Sequence, residues 1–194
     1  MPAGQPGYET RSFYARHPEW SMVGKFIWDT QRALDYLGSR PEVQPAAIGI
    51  CGHSLGSHVA LFASAFDARL GAAVCNGGNL TWFGSPAEPL HWAMPVYPDG
   101  RLWVYLPKSQ AWYADRSIEP AFRFIEVASL IAPRRLLIGH TETETRNHRI
   151  AEFIGGLRGV YAALGARPGP TVALMGELDA LIVPDHAQAD PATG

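Results

Sequence analysis

The sequence has too few cysteines, too little charge imbalance and too few long apolar runs for several classes of protein. Cys51 and Cys75 are its only cysteines, which excludes a scaffold built on disulfides. Sixteen Lys and Arg against 18 Asp and Glu leave a formal charge of -2. That balance offers no basic footprint for nucleic acid or for an anionic membrane surface. No apolar run approaches the roughly 20 residues of a membrane-spanning helix. The opening Met-Pro-Ala-Gly-Gln-Pro-Gly lacks both a basic stretch and an apolar stretch, so no secretory leader is expected and a cytoplasmic location follows. Zinc-type Cys/His spacing and glycine-rich phosphate loops are missing too. No metal and no cofactor are therefore expected. Internal repeats and low-complexity tracts are also absent.

What is present is a chain of 194 residues with 47% hydrophobic content. That is enough for one domain, residues 1–194, with a sizeable core. Twenty glycines and 16 prolines imply many turns. Residues 1–20 show no clear period. A helical stripe starts at Ser21 and runs through Met22, Phe26, Ile27, Ala33, Leu34 and Leu37, with Gly38 at its end. Ala46–Cys51, Leu70–Cys75, Arg135–Gly139 and Thr171–Met175 are short apolar runs bounded by turn formers, the pattern of buried parallel strands. Between them lie helical stretches at 55–66, 121–131 and 147–164. Strands alternating with helices predict an α/β domain, a mostly parallel sheet with helices on both faces. Residues 76–117 break the alternation. They are rich in Trp and Tyr and hold five prolines. This insertion is expected to form a lid or a substrate wall, with Trp82 and Trp92 facing substrate, or else to cover the core.

One short segment carries chemistry. Gly52-His53-Ser54-Leu55-Gly56 fits G-x-S-x-G and lies between a strand pattern and a helix pattern, the context this motif requires. A strand that turns at once into a helix forces the serine into a strained conformation. Glycines two before and two after let the chain pass close to itself. The helix N-terminus brings free N–H groups to the same place. Ser54 is thus the candidate nucleophile. The N–H of Leu55 is the candidate oxyanion donor, and His53 is a candidate substrate contact.

A serine needs a base, and the base needs an orienting acid. In the chain order Ser, acid, His, the favoured base is His186, which follows the last predicted strand. Two segments compete for the acid. Glu142 ends the third predicted strand and Asp179 ends the fourth. Glu142 leaves a full helix and strand before His186, whereas Asp179 is only seven residues from it. Glu142 is favoured, Asp179 is the alternative and Glu144 a weaker one.

Several stretches resemble the α/β-hydrolase superfamily, most closely its dienelactone hydrolase and acetyl-xylan-esterase-like branch. They are Ile27–Leu37, Arg40–Val43, Ile48–Gly56, Gly78–Thr81 and Ile131–Arg134, with the elbow the specific part. The resemblance implies a serine hydrolase of carboxylic esters and carries Ser54 over as nucleophile. A peptidase or acyltransferase on the same triad is the alternative within enzymes. Only 53 residues precede Ser54, so the chain is expected to be shortened at its N-terminus. That shortening gives a different reading: an impaired, hydrolase-like fragment acting as an assembly module. The expected partners are a small-molecule ester and, through an open sheet edge, a second copy of the chain.

Overall fold

The computed structural model describes residues 10–78, 105–106, 122–139, 150–164 and 174–175. In chain order the elements are α1 (Arg11–Arg16), α2 (Met22–Gly38), β1 (Gly49–His53), α3 (Leu55–Phe66), β2 (Ala72–Asn76), α4 (Phe124–Ser129), β3 (Arg135–Gly139), α5 (Ile150–Ala163) and β4 (Leu174–Met175). The four strands pair in sequence order, all parallel. This is the sheet the alternating pattern implies.

Helix α2 shows how local chemistry fixes an element. Its first four N–H groups have no partner within the helix and need one elsewhere. Met22 donates to the Tyr14 hydroxyl at 3.1 Å. Val23 donates to the Tyr105 carbonyl at 3.3 Å. Gly24 donates to the Ser21 hydroxyl at 3.0 Å, and the helix's own ladder begins where Lys25 donates to the Ser21 carbonyl at 2.9 Å. Ser21, in extended conformation, is thus the N-cap that starts the helix. The inner face of α2 buries Val23 and Leu34. Its outer face carries exposed Trp28, with Lys25 and Arg32 against the ring, and exposed Tyr36, with Arg40 against it.

Register sorts the strand residues into two faces. Ile50, Ala73 and Leu136 align across β1, β2 and β3, and so do Gly52, Cys75 and Ile138. Ala73, Cys75, Leu136 and Ile138 are buried in one core with Val23 of α2, Leu61 of α3, Phe124 of α4 and Leu157 of α5. Helices α2 to α5 therefore share that face of the sheet. On the opposite face Cys51, Val74 and Leu137 are not buried. Among the described residues no helix packs against that face, and no strand pairs with the outer edge of β1. Phe124, 2% exposed, forms the aromatic centre of the core and lies edge-on to Phe62 at 5.7 Å. Burying a ring of this size contributes about 1.5–3 kcal/mol.

The amino edge of the sheet is tied by ions. The Arg134 guanidinium donates to the carbonyls of Asp67, Leu70 and Leu130 at 2.9–3.2 Å. The Tyr161 hydroxyl donates to the Arg134 carbonyl at 2.6 Å. Arg69 joins the carboxylates of Asp67 and Asp35, linking α2 to the turn after α3. Arg69 holds the Asp67 carboxyl below its ordinary range, chiefly by hydrogen bonding.

Several elements differ from the sequence pattern; the helix expected over 121–131 is confined to Phe124–Ser129. Helix α1 falls in the stretch where no period was evident. It is six residues long and stops ahead of Pro18, too short for a periodic stripe. Pro45–Ala47 form a 3-10 turn, so β1 starts at Gly49 and runs on to His53. Strand β2 is shifted to Ala72–Asn76, and Gly71 just before it donates to the Ile48 carbonyl at 2.9 Å. The insertion, 76–117, lies largely outside the described residues. Tyr105 is the informative exception. It is 4% exposed and packs against Phe26 at 6.0 Å between ring centres, so at that point the segment covers core.

Candidate active site

Ser54 stands between β1 and α3 with φ 53° and ψ -114°, the one non-glycine residue with positive φ among the described residues. An L-residue in that region is strained and persists only where its surroundings fix it. The surroundings are specific. The Ser54 N–H donates to the Asn76 carbonyl on the neighbouring strand at 2.9 Å, and the Ser57 N–H donates to the Ser54 carbonyl at 3.0 Å. A Cβ on Gly52 would run into the Gly56 carbonyl and stand 2.8 Å from the Ser57 nitrogen. Glycine is therefore required at 52 by close approach of backbone to backbone, as the motif implied. The side chain of Ser54 is exposed at the carboxyl edge of the sheet. Leu55 is the first residue of α3, a helix of 12 residues, and its N–H is among those left without a partner within the helix.

The strand after the nucleophile contributes as much as the motif itself. Asn76 pairs in register with both His53 and Gly139. Gly77, at φ 58°, donates to the Gly139 carbonyl at 3.0 Å. The His53 imidazole lies over this turn, with its Cε1 2.8 Å from where a Gly77 Cβ would stand. Sequence reasoning did not single out Asn76 and Gly77 as parts of the site. Two glycines directly after a strand were the available signal.

Of the residues picked from sequence, Ser54, Leu55 and His53 come together at this edge. His58 belongs to the core. It is 3% exposed and sits 5.4 Å from the Phe124 ring, so it is turned away from the elbow. Glu142, Asp179, Glu144, His186, Trp82 and Trp92 lie outside the described residues. The chain leaves β3 at Gly139 and β4 at Met175, which are paired with each other. Gly139 and Met175 thus end their strands at the same carboxyl edge as Ser54. In open parallel sheets this is the edge where sites form.

Other groups can be set aside. Burial pushes the Cys75 thiol up to about 12, with the Ser57 hydroxyl beside it working the other way. A thiol so shifted stays protonated and is no nucleophile at neutral pH. Among the described residues no three His, Cys, Asp or Glu side chains gather as a metal site. No helix among them is long and apolar enough to cross a membrane.

Among the described residues, a parallel sheet, helices between its strands and a strained serine at a strand-to-helix turn form the arrangement of the α/β-hydrolase fold. Comparison with known proteins agrees. Residues 30–94 match the family described as BAAT / Acyl-CoA thioester hydrolase C terminal. A Bacillus subtilis (strain 168) protein named "Putative hydrolase YtaP" is 30% identical over 147 residues, which are 75% of this chain and 44% of that one. The glucuronoyl esterase catalytic domain from Hypocrea jecorina superposes with a TM-score of 0.67 at 18% identity, over 87% of this chain and 50% of that one. A glucuronoyl esterase from Solibacter usitatus does so at 0.58 and 24% identity, over 85% and 41%. The chain has the α/β-hydrolase fold and spans about half the length of these relatives.

Proposed function

We propose that the chain carries the nucleophile of a serine hydrolase that cleaves small carboxylic esters through an acyl-enzyme. The observation that supports this most is the Ser54 backbone, held at positive φ at the head of a helix. Strain of that kind clusters where it serves function. Ser54 Oγ attacks the ester carbonyl while His186 takes its proton. The N–H of Leu55 stabilises the resulting oxyanion, a contribution worth about 10²–10³ in rate for one donor. The oxyanion collapses, and His186 returns the proton to the departing alcohol. Water, activated by the same imidazole, then releases the acid and restores the serine. Glu142 orients the imidazole, with Asp179 as the alternative acid. His53 contacts substrate from the elbow, and Trp82 and Trp92 do so from the insertion. The names of the relatives, thioester hydrolase and glucuronoyl esterase, share attack on an acyl carbonyl with this proposal.

The test is labelling by a fluorophosphonate together with hydrolysis of p-nitrophenyl acetate. Wild type is expected to be labelled and active, and Ser54→Ala to be neither. A folded wild type that does neither refutes the proposal.

One observation favours a second reading, an assembly module. Among the described residues nothing pairs with the outer edge of β1, and open edges accept strands. In that reading the chain is a stable oligomer in solution. A monomeric mass together with ester turnover rules it out.

A further inference from the structure

The motif glycines, Gly52 and Gly56, leave part of the elbow's geometry unexplained, since a strained residue needs support from outside its own loop. That support comes from the turn that follows β2. The residue before the nucleophile and the residue three after it each fill a space left by a missing side chain in that turn. The His53 ring occupies the place of a Gly77 side chain, and Ser57 occupies the place of a Gly78 side chain. A Cβ on Gly78 would strike the Ser57 hydroxyl and stand 2.8 Å from the Ser57 Cβ, where ordinary contact begins at 3.4 Å. Ser57 cannot retreat easily. It is wholly buried, and its N–H is bonded to the Ser54 carbonyl.

We infer that Gly77 and Gly78 are positioning residues for the nucleophile: together they form a paired niche that seats His53 and Ser57 and so fixes Ser54 between them. The inference rests on Ser54 being the nucleophile. The two niches are not equivalent. Gly77 is needed twice, for its positive φ and for the ring above it. Gly78 has no unusual φ, so its requirement is purely one of space. That makes Gly78 the cleaner site to test. A methyl there must displace the Ser57 Cβ by about 0.6 Å, and the Ser57 hydroxyl by more, to restore ordinary contact. Ser57 lies in the first turn of α3 and would carry the Ser54 carbonyl and the Leu55 N–H with it. A misplacement of about 1 Å is enough to cost on the order of 10²-fold in rate.

The experiment compares the rate constant and the half-saturation concentration of fluorophosphonate labelling in full-length variants, with thermal melts alongside. Gly78→Ala is expected to lose at least about tenfold in the labelling rate constant with half-saturation unchanged, because the reacting atoms are misplaced while access is not. The double variant Ser57→Gly/Gly78→Ala removes the atoms that the new methyl strikes, and is expected to regain most of the rate. Should Gly78→Ala fail to fold, Ser57→Gly alone keeps the test. It empties the niche and is expected to label several-fold more slowly while still folded. Wild-type labelling kinetics in folded Gly78→Ala or in Ser57→Gly overturn the inference, and so does a double variant no faster than the single. An unlabelled wild type is a different outcome and counts against the proposed nucleophile itself.

Discussion

Replacing Ser54 by glycine and, separately, by alanine measures the elbow's strain apart from its chemistry. Both variants remove the hydroxyl. Alanine keeps the Cβ that makes φ 53° unfavourable, and glycine removes it. A non-glycine residue in a sparsely populated region costs about 1–3 kcal/mol. Glycine brings its own cost, about 0.4–1 kcal/mol, through the greater freedom of the unfolded chain. The difference leaves Ser54→Gly more stable than Ser54→Ala by about 0.5–2 kcal/mol. For a domain of this size, 1 kcal/mol shifts the melting temperature by about 2–4 °C. The glycine variant is therefore expected to melt higher by several degrees. Calorimetry or chemical denaturation of the two variants decides the matter. If the alanine variant is equally stable or more so, Ser54 is not held in a left-handed conformation in solution, and the elbow as described is wrong. At an ordinary helical or extended position the order reverses, since alanine then wins by its lower unfolded-state entropy.

Two further outcomes follow from burial and charge. Cys51 is exposed and Cys75 is buried, so a thiol reagent at neutral pH is expected to modify one cysteine in the native protein and two after unfolding. Two rapid equivalents in the native state contradict the packing of β2. Asp67 has its carboxyl lowered from the ordinary 3.8, mainly by its hydrogen bond to Arg69. A carboxylate lowered in the folded state adds stability that is full above its unfolded value and is lost as pH falls through the folded one. Stability is thus expected to drop below about pH 4, and Asp67→Asn to flatten that part of the profile. An unchanged slope in Asp67→Asn shows that other carboxylates govern acid unfolding.

Most of the fold was legible because it is written locally. Apolar runs of strand length, bounded by glycine and proline and separated by 3.6-residue stripes, leave little choice but parallel strands joined by helices. Helix α3 was read at its observed bounds, and β3 likewise. Both have sharp punctuation: Gly56 and Asp67 for the helix, Pro133 and Gly139 for the strand. Helix α1 was missed for the opposite reason, since six residues are too few to show a period. The start of β1 was misplaced because alanines 46 and 47 look the same in a 3-10 turn as in a strand.

The site divides in the same way. Ser54, its glycines and the N–H of Leu55 all lie within five residues, and the turn that joins them is a property of that short sequence. What holds the turn is not. The Asn76 carbonyl that receives the Ser54 N–H, the ring of His53 over Gly77 and the seat of Ser57 against Gly78 join segments some twenty residues apart. They meet because β2 pairs with β1 in one register and no other. The sequence alone determined that a strained serine would cap a helix at the end of a strand. Only the tertiary structure decided which neighbour keeps it strained. Local conformation follows from backbone sterics within the turn, whereas support for a strained residue depends on what the pairing of distant strands sets beside it.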